Sequence, residues 1–265
     1  MNGLSLDLTR STEPLDYQNL PQPIGAMAKS FADGFEVELH HHDRDQLLYA
    51  SRGVMLVRTA RAAWVVPPDR AVYIPATVQH SISMYGDVEM RTLYIDAAAT
   101  PVRDRSPRVH AVSNLLRELI LALSEEPVVY GEGSRGDYLA KLISSEIERA
   151  ASFSLGTPLP RDPRLQRLCA AFLADPSDSR GLEAWSDVAG ASKRTLSRLF
   201  EQDMGMSFSV WRQRVRFHNA LEALSQGRPI SAVAAQNGYR SVSAFSAAFR
   251  KQMGAPPSAF VSNGG

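Results

Sequence analysis

Between Gly34 and Ile95 the apolar residues fall in short or alternating runs: Gln46 to Ala50, Val54 to Thr59, Trp64 to Val66, Ala71 to Ile74 and Met90 to Ile95. Runs of this length bounded by turn residues predict β-strands. Their close spacing, with bends at Pro67-Pro68, Pro75 and Gly86-Asp87, predicts a sandwich or barrel. From His110 the period lengthens. Val112, Leu115, Leu116, Leu119, Ile120 and Leu123 recur at helical spacing, and Tyr138, Leu139, Leu142, Ile143 and Ile147 do so again after the Gly131 to Gly136 loop, so an antiparallel helix pair is expected over 111–125 and 135–151. From Asp162-Pro163, which reads as an N-cap followed by a first helical position, the chain is helix after short helix. The pattern is that of an α+β chain of two domains. A β-sandwich or barrel with a helical pair would occupy residues 1–157 and an all-α domain residues 158–265, divided by the loop-like run Leu155, Gly156, Thr157, Pro158, Leu159, Pro160.

Charge sharpens that division. The net charge of +1 over 265 residues hides 15 Lys and Arg against 20 Asp and Glu before residue 158, and 14 against 8 from there on. Only the second half suits a polyanion. No stretch approaches the roughly 18 apolar residues of a membrane span, and Met1 to Arg10 lacks the apolar segment of a signal peptide, so a cytoplasmic protein with no membrane partner is expected. The single cysteine, Cys169, lies in an apolar run and reads as a core residue.

The segment Ser186, Gly190, Ser192, Leu196, Phe200 has the spacing of a helix-turn-helix. A small residue lets two helices cross closely, a glycine takes the turn conformation, and a serine caps the second helix. The arrangement recurs as Ala234, Gly238, Ser241, Phe245 and Phe249, with a helix expected from Phe208 to Leu224 between the copies. Packing of Leu196, Leu199 and Phe200 leaves Arg194, Ser197 and Arg198 on the opposite face, where arginine matches guanine O6 and N7.

The run Ser192-Lys193-Arg194-Thr195-Leu196-Ser197-Arg198-Leu199-Phe200, then Gly238-Tyr239-Arg240-Ser241-Val242-Ser243-Ala244-Phe245 and Gly254-Ala255-Pro256-Pro257, resembles the AraC/XylS family of transcriptional regulators. The resemblance covers about 100 residues, Arg161 to Phe260, and implies seven helices carrying two helix-turn-helix units. It also implies that Lys193, Arg194, Ser197 and Arg198 in one recognition helix, and Val242, Ser243, Ser246 and Ala247 in the other, lie at positions facing double-stranded DNA. Members often carry a long polar residue where this chain has Ala247, so the second unit is expected to read weakly, with Arg240, Arg250 and Lys251 holding phosphate. Implied partners are DNA, a small-molecule effector, RNA polymerase and a second copy of the chain. The helix pair supplies the homodimer surface, with Leu116 taken to face it; packing on its own barrel is the other use of so many leucines.

His40, His42, Gln46 and Gly53, followed by Pro75 to His80, resemble the two signature motifs of cupins, with Gln46 in place of the usual carboxylate and Thr77 in place of a glycine. Asp43 and Asp45 are the neighbouring carboxylates. Three imidazoles with Gln46 suffice for one divalent transition metal, Zn2+ or Ni2+, per subunit. They equally suit a polar cavity that hydrogen-bonds an effector, and the residues leave both readings open. His41 is expected at the surface, and His110 and His218 as helix-region residues without a role. Tyr49, Trp64, Tyr73 and Tyr94, with Met55 and Met90, are candidates for an effector pocket, beside their ordinary use as core. A metal-dependent cupin enzyme is the competing class. The missing carboxylate, and the lack of nucleophile triads or phosphate loops, favour a regulator, activator or repressor, that is not an enzyme.

Overall fold

Strands form where the sequence alternates, and more of them form than the apolar runs alone predict. The computed structural model describes residues 10–153, 156–253 and 256–261; Met1 to Thr9, Leu155 of the dividing loop, and Gly254 and Ala255 of the C-terminal motif lie outside them. By contacts the chain divides into two units, the described parts of Met1–Met55 with Val66–Leu155, and of Leu56–Val65 with Gly156–Gly265. No helix among the described residues is long and apolar enough to cross a membrane.

The strands are β1 (Ile24–Phe31), β2 (Glu36–His40), β3 (Asp45–Thr59), β4 (Ala62–Val66), β5 (Arg70–Ile74), β6 (His80–Ile95), β7 (Arg108–Ala111), β8 (Ser152–Phe153) and β9 (Thr157–Pro158). In the first unit they order as β1-β6-β3-β5-β7-β8, with β2 also on β6. The runs Gln46 to Ala50 and Val54 to Thr59 are one strand, β3. Gly53 lets it continue: its φ is +76°, and a Cβ there would lie 2.6 Å from the Asp87 carbonyl oxygen, so only glycine fits. Strands β1 and β2 flank an Asp33-Gly34 turn in which Gly34 is left-handed.

Helices α1 (Asn114–Ser124) and α2 (Arg135–Arg149) are each capped by a serine, Ser113 and Ser134. Leu116, Leu119, Ile120 and Leu123 of α1 and Ala140, Ile143 and Ile147 of α2 close a core with Ile24, Leu47, Tyr49, Tyr73 and Leu93. Leu116 is therefore core and not interface. The exposed large apolar residues of this pair are Leu115, Tyr138 and Leu142. His110 lies on β7, buried, and not in a helix region.

The second unit holds α3 (Pro163–Ala174), α4 (Ser186–Ala189), α5 (Lys193–Met204), α6 (Phe208–Ser225), α7 (Ile230–Gln236) and α8 (Val242–Met253). Asp162 caps α3 by accepting from the Arg164 amide, as its place before Pro163 requires. Cys169 is buried among Leu165, Leu168, Phe172, Trp185 and Trp211, and burial pushes its thiol up to about 12. The hairpin of residues 56–65 belongs to this unit. Ala62 and Ala63 pair with Pro158 and Thr157, the Leu159 amide donates to the Arg61 carbonyl, and the Trp64 ring occupies the space beside Gly156.

Candidate functional site

In the first unit β2 and β6 run antiparallel with His40 directly opposite His80, and His42 follows two residues beyond the end of β2. The three rings gather, His40 to His80 at 4.3 Å between centroids and His40 to His42 at 4.9 Å, and one ligating nitrogen of each lies within 4.8 Å of the others. The Nδ1 of His40 is 2.7 Å from the Glu38 carbonyl, and that of His80 is 2.9 Å from the Val78 carbonyl. A carbonyl only accepts, so each Nδ1 carries a proton and Nε2 is the atom each ring has left for a ligand. His80 Nε2 and Gln46 Oε1 are buried and without a partner. Burial, then the neighbouring imidazoles, lowers His42 to about 3; burial lowers His80 to about 4 against the opposing pull of the Val78 carbonyl. Both rings are thus neutral, the state that ligates metal. Two orphaned buried lone pairs beside fixed tautomers fit a divalent cation.

Neither neighbouring carboxylate joins the cluster. Asp45 is fully buried and turned to other partners, accepting from Tyr73 Oη at 2.7 Å, the Ala76 amide at 2.8 Å and both terminal nitrogens of Arg105. Asp43 is exposed. Gln46 Nε2 donates to Tyr94 Oη at 3.4 Å, and Tyr17 stacks on Tyr94 at 5.4 Å. Thr77 sits at φ +66°, the one non-glycine residue with positive φ among those described, and its amide donates to the His42 carbonyl at 2.8 Å. The glycine that cupins place here has a conformational reason, and this chain meets the same conformation with a β-branched residue.

A cavity of about 300 Å3 opens from the cluster, lined by His40, His42, Gln46 and Tyr94 with Met27, Phe31, Phe35, Val37, Ile82 and Met90. Of the four aromatic candidates only Tyr94 lines it. Tyr49 and Tyr73 are in the core with α1 and α2, and Trp64 is in the second unit. The apolar walls come from β1 and β2, which apolar runs did not single out, from Phe35 just ahead of β2, and from β6, of which only the Met90 to Ile95 run stands out in the sequence.

In the second unit both turn glycines are left-handed, Gly190 at φ +68° and Gly238 at +77°. Ser192 Oγ accepts from the Thr195 amide to cap α5, and Ser241 Oγ accepts from the Ala244 amide ahead of α8. Leu196, Leu199 and Phe200 are buried and Lys193, Arg194, Ser197 and Arg198 exposed; Lys193 lies 3.5 Å from exposed Glu183. On α8, Phe245 and Phe249 are buried, Ser246 is half-buried, and Val242, Ser243, Ala247, Arg250 and Lys251 are exposed, as is Arg240 ahead of the helix. An arginine covers each turn. Arg167 Nη2 donates to the Ala189 carbonyl and would meet a Cβ on Gly190 at 3.4 Å. Arg216 does so at Gly238 while donating to the carbonyls of Pro176, Ser177 and Asp178. Arg216 therefore holds the first motif's leading loop against the second motif's turn.

A mainly helical unit with two capped motifs, each presenting an exposed helix face, and a strand-rich unit with a cavity define a two-domain DNA-binding regulator. The comparisons agree: an AraC-like ligand binding domain matches residues 30–140 and a helix-turn-helix domain residues 185–263. The chain belongs to the AraC family of transcriptional regulators. It is similar to the HTH-type transcriptional regulator NimR of Escherichia coli, 29% identical over 84% of this chain and 81% of that protein. It is 34% identical to the regulator RipA of Corynebacterium glutamicum over 49% of this chain and 40% of that one. Among solved structures, ToxT of Vibrio cholerae aligns over 89% of this chain and 97% of its own, at 11% identity and a TM-score of 0.38.

Proposed function

We propose that the chain binds double-stranded DNA sequence-specifically and regulates transcription in response to a small effector or a metal bound in the first unit, without enzymatic activity. The observation that carries the DNA half is the pair of left-handed glycine turns, Gly190 and Gly238, each followed by a capped helix with its apolar side buried and its other side open. In such a motif the N-terminal part of the second helix contacts base edges. Arg194 and Arg198 are the readers in α5, and Arg240, Arg250 and Lys251 the phosphate contacts about α8.

The metal, Zn2+ or Ni2+, would be held by His40, His42 and His80 with Gln46 beside it. Bound there it supplies a Lewis-acidic position facing the cavity. Asp45, committed to Arg105 and Tyr73, supplies no carboxylate to such a centre, which favours sensing over catalysis. Leu115, Tyr138 and Leu142, exposed on α1 and α2, are the surface for a homodimer.

Selection of random duplexes by the full-length protein tests this reading: a recurrent sequence motif, lost when Arg194 and Arg198 are both changed to alanine, supports it. Enrichment of no motif sinks it. Light-scattering chromatography of Leu115→Arg is expected to give a folded monomer from a dimeric wild type; a monomeric wild type removes the dimer.

A further inference from the structure

The ligand of the cavity can be narrowed from the groups that are left unsatisfied. Gln46 is 2% exposed, and its Oε1 accepts from nothing although its amide nitrogen is engaged with Tyr94. An orphaned buried acceptor costs about 1–3 kcal/mol, which a ligand N–H or O–H would recover. Beside it, the imidazoles of His40, His42 and His80 and the amide of Gln46 form a donor set without a carboxylate, because Asp45 is turned away to Arg105. A divalent cation in such a set keeps both its charges and, with three protein ligands, an open coordination position. Beside the buried His42, His80 and Gln46 that position favours an anionic or strongly polar donor atom. The charged residues along the rest of the lining, Lys29, Glu36 and Glu38, are part-exposed or exposed and screened by solvent. Apart from Tyr94, whose hydroxyl is engaged with Gln46, the other walls are apolar, and about 300 Å3 is at the small end for a ligand pocket.

We infer that the first unit takes a small, single-ring organic molecule. It ligates a metal held by His40, His42 and His80 through an oxygen or nitrogen donor, gives an adjacent N–H or O–H to Gln46 Oε1, and lays its apolar body between Phe35, Ile82 and Met90. The inference rests on the metal reading proposed above. Recognition is then divided: the metal selects the head group, Gln46 requires a hydrogen-bond donor next to it, and the strands β1, β2 and β6 select the body. Hydroxamates carry all three features in one scaffold, which makes them suitable probes.

The test uses the full-length protein, stripped with chelator and reloaded with Co2+, whose visible absorption bands report its coordination. Benzohydroxamate is expected to shift the bands of protein-bound cobalt and to bind at least about tenfold more tightly than acetohydroxamate, which lacks the ring to bury. Phe35→Ser, at a half-exposed position, is expected to reduce that ratio several-fold while leaving the melting temperature and acetohydroxamate affinity unchanged. If cobalt binds but neither hydroxamate moves its bands, the ligand assignment fails and the metal site stands. If cobalt does not bind, both fail. Equal benzohydroxamate affinity in the metal-free protein, or removal of cobalt from the protein by the probe, overturns coordination as the mode of recognition.

Discussion

The two units keep their working side chains in opposite states. In the first, His42, His80 and Gln46 are buried, with lone pairs already stripped of water; in the second, Arg194, Ser197 and Arg198 stand in solvent. A buried polar site is destabilising until something occupies it, so the fold bears its desolvation in advance and selectivity for the occupant is high. An exposed cation has no such cost and attracts any phosphate; its selectivity appears only when base edges are reached. The same contrast divides the two recognition helices. The arginines of α5 lie in its first two turns, where bases are met, whereas the basic residues of α8, Arg250 and Lys251, lie in its last turn behind Val242, Ser243 and Ala247. On the reading proposed above, one helix reads and the other holds.

Breaking the contrast at α5 gives the largest expected effect. Arg198→Ala, exposed and without a partner to lose, leaves folding intact and removes about 1–3 kcal/mol of discrimination at one base pair, seen as a relaxed position in the selected motif. An unchanged base preference would place Arg198 off the groove.

Next comes the burial of the first unit. His110 is 4% exposed, both ring nitrogens lack partners, and burial, then Arg108, lowers it from 6.5 to about 4. Its folded value lies below its unfolded one, so between pH 6.5 and 4 the unfolded chain binds the extra proton. Stability is full above 6.5 and is lost as pH falls toward 4, by up to about 1.4 kcal/mol per pH unit. Urea titrations of chelator-treated protein at pH 7 and 5 should show this slope, to which His42, His80 and His218 also contribute, and His110→Leu should reduce it by His110's share. Equal slopes in the two proteins would mean that His110 is solvated.

Thr77→Gly is expected to stabilise by about 1 kcal/mol, because glycine takes φ +66° without the cost a β-branched residue meets there. A lower melting temperature in the variant would show that the threonine side chain offsets its backbone. The smallest effect belongs to α8: Lys251→Ala should weaken all duplexes alike and flatten the logarithmic salt dependence by about one unit, with the motif unchanged. A changed motif would make α8 a reader after all.

Where the sequence was legible, local chemistry and tertiary packing asked for the same residues. Gly190, Gly238, Ser192 and Ser241 are turn and cap residues by their own conformational preferences, so the helix-turn-helix pair could be read directly, as could helix α6, expected to Leu224 and found to Ser225. His40 and His80 could be paired from their motifs. Most walls of the cavity could not, because Met27, Phe31 and Ile82 are chosen by what lies across the sheet and not by their neighbours in sequence. Leu116 and Leu115 illustrate the same limit: adjacent leucines on one helix, one buried at 1% and the other exposed at 54%, a distinction set by the rotation of α1 on its core. Tyr49, Tyr73 and Trp64 were drawn into a pocket by residue type alone.

The hairpin of residues 56–65 has a consequence for any attempt to take the protein apart. Because it belongs with the helical unit while both its flanks belong with the other, the backbone passes between units three times: near residue 55, near residue 65 and near residue 155. A single protease cut near residue 155 would leave two chains still joined by the hairpin's pairing with Thr157 and Pro158. A recombinant fragment beginning at Gly156 would lack β4, exposing the strand edge of β9 that Ala62 and Ala63 cover in the intact chain. The DNA-binding half is modular in its sequence and interleaved in its folding.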